Sequence, residues 1–143
     1  MKGKRLTKNF VLDEFIISKF YNEEQQLKVW QSFYDDAENL LPTIQKLANQ
    51  LQVLRDYRNR PIRVNISYRP LWWELLQNRS GSSKHVYGMA SDIVMKNVST
   101  EQTYKDIEHL ISNGDMLQGG LGLYNTFVHY DIRRTKARWN NKK

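Results

Sequence analysis

Phe127-Val128-His129-Tyr130-Asp131-Ile132 carries two interleaved sets of side chains. Successive residues of a strand point to opposite faces, so Phe127, His129 and Asp131 share one face and Val128, Tyr130 and Ile132 the other. A histidine and an acid two apart on one face can share a small polar site. Gly119-Gly120-Leu121-Gly122-Leu123-Tyr124 lies just before it, and the two segments read as the closing strands of a sheet.

Working towards the N-terminus, Ala90 to Met95 has strand character, and Pro61 to Tyr68 alternates as a half-buried strand does. Between these strands, Trp72 to Leu76 reads as a short helix after Pro70. Ser99 with Gln102 three residues on reads as a capping box for a helix through His109 to Ser112, stopped by Asn113-Gly114. The first third of the chain is helical in pattern. Asn9 to Phe15 reads as a turn and short helix packing Phe10, Leu12 and Phe15. Glu23 to Tyr34 reads as a helix with Leu27, Trp30 and Phe33/Tyr34 on one stripe. Pro42 suits a first helical turn. Leu41, Ile44, Leu47/Ala48, Leu51 and Leu54 then recur at helical spacing, and Arg55 to Arg60 with Asn59 ends the run. Helices first and short strands after, without βαβ alternation, predict an α+β fold with N-terminal helices packed on a small antiparallel sheet. No repeat, low-complexity tract or linker interrupts the chain, so residues 1–143 are expected to form one domain with basic termini.

Composition narrows the chemistry. The 143 residues are 40% hydrophobic and 26% charged, which excludes a disordered chain. There is no cysteine, so thiolate metal sites, thiol nucleophiles and disulfides are excluded. A metal here must be held by imidazole and carboxylate, and the only histidines are His85, His109 and His129. No apolar run is long enough to span a bilayer, so membrane insertion is not expected. Met1-Lys2-Gly3-Lys4-Arg5 resembles the start of a signal peptide, but Lys8, Asp13 and Glu14 interrupt what would be its apolar part. The expected site of synthesis is therefore the cytoplasm, without export by a signal. The net charge of +7 gathers at both ends, in Lys2, Lys4, Arg5 and Lys8 and again from Arg133 to Lys143. Solvated tails are the ordinary reading of such runs; an anionic polymer such as a cell wall, or a nucleic acid, would also be attracted. No aromatic-basic motif supports the nucleic acid.

The second polar stretch is Ser83-Lys84-His85-Val86-Tyr87-Gly88-Met89-Ala90-Ser91-Asp92. His85 ends a polar loop, and Gly88 marks a tight turn or close approach. Asp92 sits at the head of an apolar strand, where a carboxylate needs a partner; a cation is one such partner, the alternative being that Asp92 caps a turn and His85 is solvated. Two imidazoles and a carboxylate with an open fourth position are a known ligand set for catalytic zinc, and a carboxylate just beyond can orient a ligand or take a proton from water. His109, between Glu108 and Leu110 in a helix with no motif around it, is read as a surface histidine. Trp72 and Trp73 are read as core, with one of them free to line a cleft.

These residues carry a family resemblance. Ser83-x-His85-x-x-Gly88-x-Ala90-x-Asp92 resembles the signature of the zinc D-Ala-D-Ala peptidase and hedgehog-like metallopeptidases, which cut peptidoglycan stem peptides or cross-links. Ile66-Ser67-Tyr68-Arg69-Pro70 is similar to that family's Ser-Gly-Tyr-Arg turn. Gly119 to Tyr124 and Phe127 to Asp131 are similar to its closing segments. Asn9-Phe10 to Phe15 and Arg138-Trp139 fit the small branch seen in phage and cell-wall hydrolases. The resemblance implies zinc held by His85, Asp92 and His129. It implies that Arg69 binds a substrate carboxylate or steadies the oxyanion, with Tyr68 and Ser83 of the same motifs as substrate-binding candidates. It departs from the pattern in two places. Tyr124, Asn125 and Thr126 stand where many relatives carry an acid, and Ile66-Ser67 replaces Ser-Gly. The strand alternation makes Asp131 the candidate general base, with a purely orienting role as the alternative.

The function implied is zinc-dependent hydrolysis of peptidoglycan peptides by a phage or prophage lysin. Such a lysin would act on the wall after release at lysis or as part of the particle, with phage particle proteins as its other partners. A non-catalytic zinc-binding virion or envelope protein of the same fold is the alternative.

Overall fold

The computed structural model describes the whole chain, Met1 to Lys143. Three helices come first: α1 (Asp13–Ile16), α2 (Glu23–Asp35) and α3 (Ala37–Arg58). Next come β1 (Ile62–Ile66), α4 (Leu71–Leu76), a 3-10 turn at Lys84–Tyr87, β2 (Ala90–Met95) and α5 (Thr100–Ser112). The chain closes with β3 (Gly120–Leu123), β4 (Val128–Asp131) and β5 (Ala137–Asn140). The five strands form one sheet in the order β1-β2-β4-β3-β5. Its pairs are antiparallel except β3 with β5, which run parallel. The expected α+β class is the observed one, and the sheet is mostly antiparallel.

Local chemistry accounts for the helix limits. Asn22 caps α2 in a reciprocal box with Gln25. Asn59 ends α3 in a left-handed conformation (φ 55°), which asparagine tolerates better than most residues. Ser99 accepts from the Gln102 N–H at the start of α5, but the Gln102 side chain turns to Asp106, so only half of the expected box forms. Residues from α3 (Ile44, Leu47, Leu51, Leu54), α5 (Ile107, Leu110), β2 (Ile93, Met95), β3 (Leu121) and β4 (Val128, Tyr130) meet in one buried apolar cluster.

Three expectations are corrected. In α2 the buried side chains are Val29, Trp30 and Phe33, whereas Leu27 and Tyr34 are exposed. Pro42 lies inside α3, which already begins at Ala37 because the Asp36 carbonyl accepts the Asn39 and Leu40 N–H groups. The hydrogen bond that Pro42 cannot make belongs to the carbonyl of exposed Glu38, where water can replace it. The basic C-terminal run is not all tail: Ala137–Asn140 is the parallel edge strand β5.

Candidate metal centre

Strand register assembles the site. Ile66 pairs with Asp92, Asp92 with His129, His129 with Gly122, and Gly122 with Trp139, so one row of residues crosses all five strands. Ile93 and Met95 commit one face of β2 to the core, and Val128 and Tyr130 do the same for β4. Asp92 and His129 are thereby left as neighbours on the opposite face. His85 enters from the 3-10 turn, where Ser83 accepts its backbone N–H. Gly88 closes that turn in the left-handed region (φ 72°).

His85 Nε2 lies 3.3 Å and His129 Nδ1 3.2 Å from the same oxygen, Asp92 Oδ1. All three ligand atoms fall within 4.8 Å of one another. The remaining ring nitrogens are taken: His85 Nδ1 lies 2.7 Å from the Ser67 carbonyl, and His129 Nε2 lies 2.7 Å from Asp131 Oδ2. Each acceptor holds a proton on the outer nitrogen, so the inner nitrogen is the one that gives up its proton to Asp92 or solvent and offers a lone pair when a cation binds. Zinc bonds of about 2.0–2.1 Å in a tetrahedron set ligand atoms about 3.3 Å apart, the separation each imidazole nitrogen keeps from Asp92 Oδ1, and two imidazoles with one carboxylate are donors that suit zinc.

Asp131 is fully buried beside the pair, and five donors hold it. Gly120 N–H (2.9 Å), Arg133 N–H (3.0 Å) and Arg133 Nε (2.9 Å) reach Oδ1; His129 Nε2 and Arg133 Nη2, both at 2.7 Å, reach Oδ2. A β-carbon on Gly120 would overlap this carboxylate, and one on Gly122 would overlap the Trp139 indole. The two glycines therefore let β3 approach Asp131 and let Trp139 lie against His129, with ring centroids 5.0 Å apart.

A family model described as Peptidase M15 matches residues 9–131, which include His85, Asp92, His129 and Asp131. The chain belongs to the peptidase M15 family. Comparison with curated proteins and with solved structures returned no match. M15 peptidases are zinc-dependent metallopeptidases acting on peptides, and the His85–Asp92–His129 group of this member could hold the ion. No helix is long and apolar enough to cross a membrane.

In this M15 chain the centre opens on a cleft of about 540 Å³ whose lining includes Arg69, Ser83 and Arg133. Arg69 Nη2 donates to Ser83 Oγ (3.1 Å), so Ser83 ties the arginine to the turn that carries His85. Tyr68 does not line this cleft. Its ring belongs to the core, where burial pushes the phenol up to about 12. Past the end of β1 the Tyr68 N–H bonds to the Phe15 carbonyl and the Arg69 N–H to the His85 carbonyl, so the arginine stays beside the site while its neighbour packs into the core. His109 is exposed on α5 against Tyr57, and Trp72 donates to Ser32 Oγ, both outside the cleft.

Electrostatics follow from burial and pairing. Burial opposes ionisation of Asp92, but the His85 charge and hydrogen bonds from both histidines outweigh it and hold the carboxyl well below its ordinary range. Burial pulls His85 down despite Asp92. Burial also works against the His129 charge, yet hydrogen bonds to Asp131 and Asp92 lift it above the ordinary imidazole value. Arg133 and Trp139 line the cleft as well, beyond the residues that the motifs mark. Arg133 continues the spacing of two from His129 and Asp131, whereas Trp139 has no apolar pattern around it to place it.

Proposed function

We propose that this chain is a zinc-dependent peptidase hydrolysing amide bonds in bacterial peptidoglycan stem peptides or cross-links, as a carboxypeptidase or endopeptidase of the phage or prophage lysin kind. The observation that carries this is the convergence of His85, Asp92 and His129 at an open cleft in a chain of the M15 family. Those three residues would hold the ion. Bound zinc would supply Lewis-acid polarisation of the scissile carbonyl and make water a stronger acid.

Arg69 is assigned to a substrate carboxylate or to the carbonyl oxygen as charge develops on it, with Ser83 holding its guanidinium in place. Tyr68 takes no part in binding, since its ring faces the core. Asp131 is assigned to orienting His129 rather than to accepting a proton from water. A carboxylate has about four lone-pair positions, and five donors occupy those of Asp131. The chain works as one unit on the anionic wall, after release at lysis or as part of a phage particle.

The second reading, a non-catalytic zinc-binding virion or envelope protein, is favoured by one observation: Asp92 is the sole carboxylate among the residues lining the cleft. One experiment separates the two. The purified chain is incubated with peptidoglycan, with and without chelator, and products are read by mass spectrometry. Peptides released only without chelator, and not by His85→Ala, uphold the peptidase. Bound zinc with no release in either condition upholds the structural protein.

A further inference from the structure

Beside Asp92 the cleft opens into a side pocket of about 210 Å³. Arg69, Arg79, Asp92 and Phe127 line both chambers, so whatever fills the pocket lies next to the metal centre. Phe20, Ile66 and Trp73 make its walls largely apolar. Its charge comes from two guanidinium groups organised by one buried acid. Glu74, fully buried on α4, accepts from Arg79 Nη1 at 2.8 Å and lies 3.5 Å from Arg69 Nη2. Two cations and one anion leave one positive charge in excess. Glu74 itself lies behind the walls, and Asp92, already shared between two histidines, is the only acid that lines either chamber.

Arg79 is the more open of the two arginines, its side chain 47% exposed against 14% for Arg69. It is also held in place. Its guanidinium lies over the Trp73 ring, 5.3 Å from the centroid, and one of its nitrogens is anchored on Glu74. The other side-chain donors have no partner within the chain, and a fork fixed along one edge is suited to bidentate capture of a carboxylate. Ordering it in advance removes part of the entropy that a mobile arginine would lose on binding.

We propose that Arg79 is a specificity-determining residue: with Arg69 it binds a substrate carboxylate carried on an aliphatic stem that fills the side pocket beside the scissile bond. This rests on the peptidase reading above. Converting that carboxyl to a carboxamide removes the charge and turns N–H donors towards a guanidinium that has only donors.

The test uses the zinc-loaded full chain and stem peptides from digested peptidoglycan, supplied as free acids and after conversion of every carboxyl to carboxamide. Arg79→Gln should lower kcat/KM for the free acids about tenfold, chiefly through KM, and change it less than about twofold for the amides. An equal change for both forms, or no change for either, overturns the proposal. Arg79→Lys keeps a charge on Glu74 and answers the question if Arg79→Gln does not fold: a smaller acid-to-amide ratio upholds the proposal and an unchanged ratio overturns it. If the wild-type chain cleaves neither form, the peptidase reading fails and calorimetric titration with the same peptides judges the pocket. Tighter binding of acid than amide, with the difference lost in Arg79→Gln, upholds it. Equal affinities or no binding overturn it.

Discussion

Asp131 grips His129 through the ring nitrogen turned away from the cleft: Oδ2 lies 2.7 Å from Nε2, while Nδ1 faces Asp92 at 3.2 Å. The carboxylate thus sets the tautomer that leaves Nδ1 free to bind a cation. Asp131→Asn retains the shape but loses the charge that pairs with Arg133. Partners of this kind change metal affinity about 10–100-fold. Zinc affinity, measured by competition with a chromophoric chelator, should fall by that factor. A general base would behave otherwise: the same substitution would leave zinc affinity near wild type and lower kcat alone.

The same carboxylate predicts an acid-sensitive element of stability in the metal-free chain. Burial opposes its ionisation, but hydrogen bonds from His129 and Arg133 outweigh burial and hold it well below the ordinary carboxylate range. A group depressed by folding stabilises fully above its unfolded value, about 3.9, and the contribution is lost as pH falls through the folded value, because the unfolded chain takes up the proton first. An asparagine in its place would have no such titration. The stability difference between wild type and Asp131→Asn, from urea unfolding, should therefore shrink between about pH 5 and pH 2. A difference that stays constant over that interval contradicts the ion pairing described.

Much of this arrangement is legible in the residues themselves. The period of two in Phe127–Ile132 puts His129 and Asp131 on one face, and Ser83–Asp92 marks the turn and strand that bring His85 and Asp92. What stays hidden is set by partners distant in sequence. Leu27 has the spacing of a buried residue but is left exposed, because the core contacts fall to Val29 and Trp30. β5 has no apolar alternation, since Ala137-Arg138-Trp139-Asn140 is held at a sheet edge by backbone pairing to β3 and by Arg138 reaching Glu108. Arg79 sits in no motif, and only the fold brings it onto Glu74 and Trp73. Tyr68 shows that membership of a motif does not decide which way a side chain turns.

Gly122 predicts its own substitution. It pairs with His129 on one side and Trp139 on the other, and any β-carbon there overlaps the indole. Gly122→Ala should cost about 1–3 kcal/mol, the usual range for overpacking. Trp139→Ala in the same chain should recover part of that loss by vacating the contested space. Urea midpoints of the single and double variants give the coupling directly. Additive losses would mean that Trp139 does not occupy the space above Gly122.

Metal binding should be readable without any substrate. A ligand that binds only the folded chain stabilises it by RT ln(1 + [L]/Kd), about 2.7 kcal/mol at one hundred times Kd. Zinc added to the metal-free chain should raise the melting temperature accordingly, and chelator should reverse the rise. His85→Ala removes one of three donors and should abolish most of the shift at the same zinc concentration. Trp139 lies against His129 and accepts the Arg133 guanidinium over its ring at 5.5 Å, so its emission should change on titration with zinc while Trp139→Phe loses that change. A zinc-dependent rise in melting temperature that survives His85→Ala undiminished would place the ion elsewhere on the chain.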